Sequence, residues 1–365
     1  MDLTSKTVLL LTVLLAVALF AATVLLWPRL ARRTWRAVTG RIGLLLATQL
    51  ALFASVGLLV NNAFGFYASW ADLLGQETET GVVVDHSTNR QGIERTGLPH
   101  DNRRAEVAGR LDKVLVRGDG TGITSPAYVY LPPEYFQHRY AQKRFPTAVV
   151  LTGYPGTAEA LYSKLHYPQT ERRLVAKGKM QPTILVMMRP TVAPPRDTEC
   201  MDIPNGPQTE TFFTKELRAD IAAHYRTGTQ ARNWGVIGDS TGGYCALKMT
   251  MRHPEAFSSA VALSGYYKAP IDPTTGDLFA GNAQLQREND LLWRQRHLPP
   301  PPVNLLVTTS KQGETNYADT TRFIKQTKAP TRVSSIILES GGHNFNTWRR
   351  EIPPALTWLS SHLSP

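Results

Sequence analysis

Gly238-Asp239-Ser240-Thr241-Gly242 is the segment of this chain whose residue types and spacing can do chemistry. The apolar run Trp234-Gly235-Val236-Ile237 leads into it, and Tyr244-Cys245-Ala246-Leu247-Lys248-Met249 follows with helical composition. A strand that turns sharply into a helix through Gly-x-Ser-x-Gly holds the serine in a strained backbone conformation. Its glycines let strand and helix approach, and Oγ is left exposed at the sheet edge. The alternative reading is an ordinary Gly/Ser turn; the strand before it and the helix after it favour a nucleophile.

A serine hydroxyl attacks a carbonyl near neutral pH when a base takes its proton, usually a histidine oriented by a carboxylate. The expected chain order here is Ser, acid, His. His343 is the expected base, in Gly341-Gly342-His343-Asn344 after an apolar strand pattern. The two glycines leave a loop that can bring the imidazole over Ser240. His362 lies on a terminal helix, His253 stands before Pro254 as a capping group, and His166 is in a loop, with a substrate contact left open. Glu314 is the expected acid, in the loop Lys311-Gln312-Gly313-Glu314. Asp319 is the alternative, although an acid in the first turn of a helix commonly serves the helix dipole. Asp239 adjoins the nucleophile, the wrong place from which to orient the base. A tetrahedral intermediate needs backbone N–H donors for its oxyanion. Thr241 and Tyr154 are the expected pair, Tyr154 lying in Thr152-Gly153-Tyr154-Pro155-Gly156, where Pro155 has no N–H. An ordinary tight turn is the alternative for that loop.

Alternating elements must position these residues. Val114-Leu115-Val116 and Ala127-Tyr128-Val129-Tyr130-Leu131 read as a hairpin around Gly118-Asp119-Gly120. Continuous apolar runs at 147–151 and 183–188 suit strands buried on both faces of a parallel sheet, and 259–264, 304–309 and 333–338 read as further strands. Helical spacing at 211–225, around 320–324 and around 356–359 supplies the covering layers, which gives an α/β fold with helices on both faces. The Pro-rich, charged stretch 269–302 reads as irregular, either a substrate-shaping lid or a plain surface loop.

The N-terminus has a different character. Two apolar runs, about 7–27 and 42–60, each approach the ~20 residues needed to cross a bilayer. Gln49 is the one strongly polar side chain in the second run. A basic n-region and a small-residue cleavage site are both missing from the first, so a membrane hairpin is a better reading than a signal peptide or two core helices. Arg29, Arg32, Arg33, Arg36 and Arg41 lie between the runs and mark the cytoplasmic side. Asp72, Glu77, Glu79 and Asp85 follow the second run, so the remainder is expected outside. Residues 1–70 are therefore read as two transmembrane helices with a basic cytoplasmic loop, 71–110 as a linker and 111–365 as the hydrolase domain. The formal net charge of +11 includes that arginine cluster, and no nucleic-acid motif accompanies it. Anionic lipid or envelope polymer is the better electrostatic partner.

The two cysteines, Cys200 and Cys245, could bridge in an oxidising compartment, tying a loop beside the elbow helix. Two separate thiols are the alternative. No His/Cys cluster has metal-ligand spacing, and neither metal nor cofactor is expected.

Glu210-Thr211-Phe212-Phe213-Thr214-Lys215-Glu216-Leu217, Gly238-Asp239-Ser240-Thr241-Gly242, His253-Pro254-Glu255-Ala256-Phe257, Leu263-Ser264-Gly265 and Gly342-His343-Asn344-Phe345-Asn346-Thr347-Trp348 together resemble the Putative esterase family. That family includes esterase D-type enzymes and the antigen 85 mycolyltransferases of actinobacteria, and the resemblance spans roughly residues 110 to 362. It implies an α/β-hydrolase fold and a metal-free Ser-Glu/Asp-His triad, carrying over Ser240 and His343 directly and Glu314 less directly. Thr152-Gly153 stands where mycolyltransferases have Asp-Gly, which weakens the implication of trehalose or mycolate as substrate.

The expectation is thus a membrane-anchored, outward-facing serine esterase or acyltransferase with an ester or lipid-like substrate. A sugar or envelope acceptor, or a non-catalytic envelope protein on the same scaffold, are the alternatives. Protease added to intact cells is expected to remove the C-terminal domain. Removal only after lysis would reverse this topology.

Overall fold

A computed structural model describes residues 6–64, 96–97 and 105–365. The chain divides into two units, Met1–Glu77 and Thr78–Pro365.

In the first unit α1 (Lys6–Leu30) packs against α2 (Trp35–Phe64). Both are long and apolar enough to cross a membrane. At 1.5 Å per residue the shorter helix spans ~37 Å, more than the ~30 Å hydrocarbon core. The helices run past the expected 7–27 and 42–60. Arg29, Arg36 and Arg41 are therefore helical, and Arg32 and Arg33 remain in the connection. Polar side chains inside the pair are satisfied locally. Thr12, Thr23, Thr48 and Ser55 each donate to the carbonyl four residues back, and the Thr23 and Thr48 hydroxyls meet at 3.1 Å. That is what a medium without water demands of a hydroxyl. Leu25 and Phe53 stand 73% and 75% exposed on the outer faces, an apolar surface suited to lipid.

The second unit is built on a nine-stranded sheet in the order β1-β2-β3-β5-β4-β6-β7-β8-β9. Its strands are β1 (Thr96–Gly97), β2 (Arg110–Arg117), β3 (Thr124–Leu131), β4 (Thr147–Leu151), β5 (Ile184–Met188), β6 (Trp234–Asp239), β7 (Ser259–Leu263), β8 (Asn304–Gln312) and β9 (Arg332–Ser340). The first three are antiparallel, β3 runs antiparallel to β5, and every pair from β5 to β9 is parallel. Most of the expected linker 71–110 lies outside the described residues. Its end is a correction, because β1 and Arg110 already belong to the sheet. A two-residue strand has no periodicity to read.

Alternation along the buried strands divides them between two cores, as a pleated strand requires. Val149, Val186, Val236, Ala260 and Leu305 face one core, with α5 (Leu217–His224), α6 (Thr241–Arg252) and α9 (Tyr317–Gln326) supplying Leu217, Leu247 and Phe323. Val150, Leu185, Ile237, Val261 and Leu306 face the other. There α3 (Ala158–Ser163), α4 (Tyr167–Ala176) and α10 (Phe345–Ser361) supply Leu161, Leu174 and Leu356. The expected helix 211–225 has a π-helical stretch at Phe212–Glu216 before α5. The stretch 269–302 is not wholly irregular, since it contains α7 (Ala283–Glu288) and α8 (Leu291–His297), capped by the side chains of Asn282 and Asp290.

That insertion is fastened at its base. Arg196 donates to the carbonyls of Thr275 and Asp277, both at 2.7 Å, Asp197 N–H donates to Thr274 O, and Tyr244 Oη on α6 donates to Asn289 O at 2.7 Å. A disulfide joins Cys200 to Cys245 on α6, and both cysteines are fully buried. Closing a loop of 45 residues restricts the unfolded chain by about 4 kcal/mol in the chain-entropy treatment. The double substitution Cys200→Ser, Cys245→Ser is expected to lower unfolding stability by about 2–4 kcal/mol. Denaturant titration measures it, and an unchanged midpoint would show that the buried hydrogen bonds hold the loop unaided.

Candidate active site

Ser240, Glu314, His343 and Tyr154 lie at the carboxyl ends of parallel strands, the place where open α/β sheets form clefts. β6 ends at Asp239, and Ser240 adopts φ 52°, ψ −118° before α6 begins at Thr241. A serine there costs on the order of 1–3 kcal/mol. The conformation is held because Ser240 N–H donates to Leu263 O at 3.0 Å, at the end of β7. Glycine is required beside it. A Cβ on Gly238 would lie 2.4 Å from the Gly242 carbonyl carbon, and one on Gly242 would lie 2.5 Å from Leu151 O.

β8 and β9 bring two further residues together. Their parallel register sets Gln312 against Ser340, and Gly341 N–H donates to Gln312 O at 3.0 Å. Glu314 and His343 follow within three residues on each side. His343 Nδ1 lies 3.2 Å from Glu314 Oε2, with the Glu314 side chain 2% exposed and the imidazole 47% exposed. Asp319 is not brought to the histidine. It forms a surface ion pair with Arg322. Asn344, directly after His343, caps α10 by accepting from the N–H groups of Asn346 and Thr347, which fixes where the histidine loop ends. Trp348, one turn into α10, meets the imidazole edge-to-face at 5.2 Å and donates its indole N–H to Ser264 Oγ at 3.0 Å.

The other histidines have local roles. His253 contacts Glu210 and Glu255 at the end of α6, His362 Nδ1 lies 2.8 Å from Trp358 O, and exposed His166 precedes α4 at φ 56°.

The loop with Tyr154 lies against the elbow. A Cβ on Gly153 would be 3.0 Å from Ser240 Cβ. Gly153 N–H donates to Asp239 Oδ2 at 2.8 Å, which gives Asp239 a contact that its sequence position did not reveal. Thr241 is framed from the opposite side. Its Oγ1 lies 3.0 Å from Tyr266 Oη, which donates at 2.7 Å to the buried Glu199 carboxyl. Lys248 on α6, fully buried, donates to the carbonyls of Glu199 and Cys200 at 2.8 and 2.6 Å. Glu199, Tyr266 and Trp348 were missed by sequence reasoning; the one visible signal was for Glu199, an acid beside a cysteine in the polar loop 196–202. Among the described residues no group of three or more His, Cys, Asp or Glu could hold a metal.

A central sheet of this order, with an elbow serine at its middle and a His–Glu pair beyond, defines an α/β-hydrolase fold. Structural comparison finds the same fold in a ferulic acid esterase (TM-score 0.60, 19% identity, covering 70% of this chain and 99% of that one). It finds it again in the S-formylglutathione hydrolase of Agrobacterium tumefaciens (TM-score 0.59, 16% identity, covering 75% and 100%). The chain belongs to the Putative esterase family, whose model matches residues 121–359. An uncharacterised protein of Corynebacterium glutamicum is 23% identical over 348 residues, covering 88% of this chain and 77% of its own length.

Several carboxyls near these loops and in the core are held neutral into the physiological range, chiefly by burial. Asp197 is raised to about 6, Asp239 and Glu351 to about 7, and Glu171 and Glu199 to about 8. Glu314 adds to the Glu351 shift by repulsion. The folded chain therefore binds protons that an unfolded chain, with carboxyls near ~4, has already released. Stability is expected to fall as pH rises from about 5 to about 8. His253, raised by Glu210 against the opposing effect of burial, works in the same direction. Glu210 is lowered because Lys248, His253 and Arg252 outweigh its burial, so its effect belongs to more acidic pH. Lys248, lowered by burial to about 8, acts in the opposite sense above that. Thermal unfolding from pH 5 to 8 checks this, and a midpoint that rises throughout would contradict neutral buried acids.

Proposed function

We propose that this protein is a membrane-anchored serine esterase whose nucleophile is Ser240. The observation that carries the reading is the 3.2 Å contact of His343 Nδ1 with the buried Glu314 carboxylate, in a family chain whose elbow serine has φ 52°. Ser240 Oγ attacks the ester carbonyl while His343 Nε2 takes its proton. Glu314 holds the tautomer that leaves Nε2 free to accept and favours the imidazolium that results. The N–H groups of Tyr154 and Thr241 receive the oxyanion. Thr241 suits this role because an N–H in the first turn of a helix has no intrahelical acceptor. Collapse expels the alcohol, protonated by His343, and leaves an acyl-enzyme. Water then releases an acid, or an acceptor hydroxyl takes the acyl group, by the same steps in reverse roles.

The substrate class is a small-molecule or lipid-like ester, in keeping with the family. Placement of this unit outside the membrane is supported by the apolar helices α1 and α2, by the arginines where they meet, and by a disulfide suited to an oxidising compartment.

A fluorophosphonate probe tests the nucleophile. Wild type is expected to label, and Ser240→Ala not to. No labelling of folded wild type would refute the enzyme reading. Glu314→Gln is expected to lower kcat by roughly 10²–10⁴, while Asp319→Asn stays within about twofold, as suits an exposed ion pair. The reverse ranking would move the acid to Asp319.

A further inference from the structure

We propose that Asp239 is a positioning residue that fixes the loop carrying the Tyr154 N–H against the nucleophile. The proposal rests on the reading of Ser240 as nucleophile and deepens it.

The argument begins at Gly153, which is held on both sides. Its N–H donates to Asp239 Oδ2 at 2.8 Å. Its carbonyl accepts from Gly156 N–H at 2.8 Å and from Thr152 Oγ1 at 2.8 Å. A trans peptide is planar, with its C=O and the following N–H pointing in opposite directions. The bond between Gly153 and Tyr154 is trans, since the cis bonds among the described residues lie elsewhere. Fixing the Gly153 carbonyl therefore fixes the direction of the Tyr154 N–H. The hydrogen bond to Asp239 fixes the preceding peptide plane in turn. Among the described residues the Gly153 N–H has no other side-chain acceptor.

Asp239 is suited to this by its place in the chain. It is the last residue of β6, so its backbone is paired with Leu263 of β7, and it immediately precedes Ser240. The carboxylate thus links the oxyanion loop directly to the peptide that sets the serine. The separation is close: a Cβ on Gly153 would lie 3.0 Å from Ser240 Cβ and 3.2 Å from Asp239 Oδ2.

The carboxyl is also costly where it stands. Asp239 is 2% exposed, and its Oδ1 is buried with no hydrogen-bond partner among the described residues. A buried polar atom without a partner opposes folding. An apolar or small residue would fill the end of β6 without that cost, so the useful part of the side chain is the Oδ2 acceptor. Burial raises its pKa to about 7, and Oδ2 remains able to accept from Gly153 when Oδ1 carries the proton. This contact also explains why Asp239 does not orient the imidazole, although the two are close enough to interact electrostatically.

The test uses full-length protein in detergent, with active sites counted by exhaustive fluorophosphonate labelling so that misfolded chains drop out. Asp239→Asn keeps a carbonyl acceptor of the same shape, and its kcat is expected within roughly threefold of wild type. Asp239→Ala removes the acceptor, and its kcat per active site is expected to fall roughly 30-fold or more, approaching the loss of one oxyanion donor. KM should stay within about twofold, because the donor acts on the transition state. Asp239→Thr, too short to reach Gly153, takes the place of Asp239→Ala if that chain does not fold. Normal kcat in Asp239→Ala would overturn the assignment, as would an equal loss in Asp239→Asn. Failure of wild type to label would instead defeat the underlying esterase reading.

Discussion

The in-register parallel pairing of β8 with β9 sets whether His343 and Glu314 can meet at all. Gln312 faces Ser340, and the two loops leave the sheet side by side. A strand advances ~3.3 Å per residue. A slip of one residue would therefore separate the groups by about the length of the hydrogen bond they share, and would also turn every β9 side chain to the opposite face. The same logic continues inward. β7 holds the elbow through Leu263 O, and β4 delivers the loop that touches Ser240. β4, β6 and β7 end within a residue of one level, and β8 and β9 run about four residues further before turning into the loops of Glu314 and His343.

Around the elbow the structure accepts several unfavourable local states. Ser240 is strained, Asp239 and Glu199 are buried acids, and Lys248 is a buried ammonium. Each persists because its surroundings leave it little choice. From Thr241 to Met251, every residue of α6 is buried. Its Cys245 is bridged to the loop that carries Glu199, and its Lys248 donates to that loop's carbonyls. The insertion after β7 is tied to the same loop by Arg196. Its base is thereby anchored to the scaffold.

What could be read in the sequence follows from the range of the forces involved. The strands from β4 to β8 were legible because burial on both faces writes a continuous apolar run. The elbow was legible because its glycines are forced by contacts within a few residues. β1 left no mark, being too short for a pattern, and the π-helical stretch at Phe212–Glu216 has no period of its own to detect. The choice between Glu314 and Asp319 was open in the sequence because both lie near the end of β8. It turns on pairing with β9, which a linear reading does not contain. Asp239 is the sharper case. Adjacency to Ser240 was visible, but its bond reaches Gly153, eighty-six residues away, and no local rule points there.

The position of β9 has one more consequence. It is an edge strand, and its residues are exposed or half-buried, whereas β4, β6 and β7 are buried throughout. Protection against local opening follows burial, so edges open at lower free energy than centres. Ser240 and the loop carrying Tyr154 follow strands buried throughout. His343 follows an edge strand. On the proposed triad, a molecule warmed short of unfolding would part with His343 while Ser240 stayed in place, becoming idle before it became disordered.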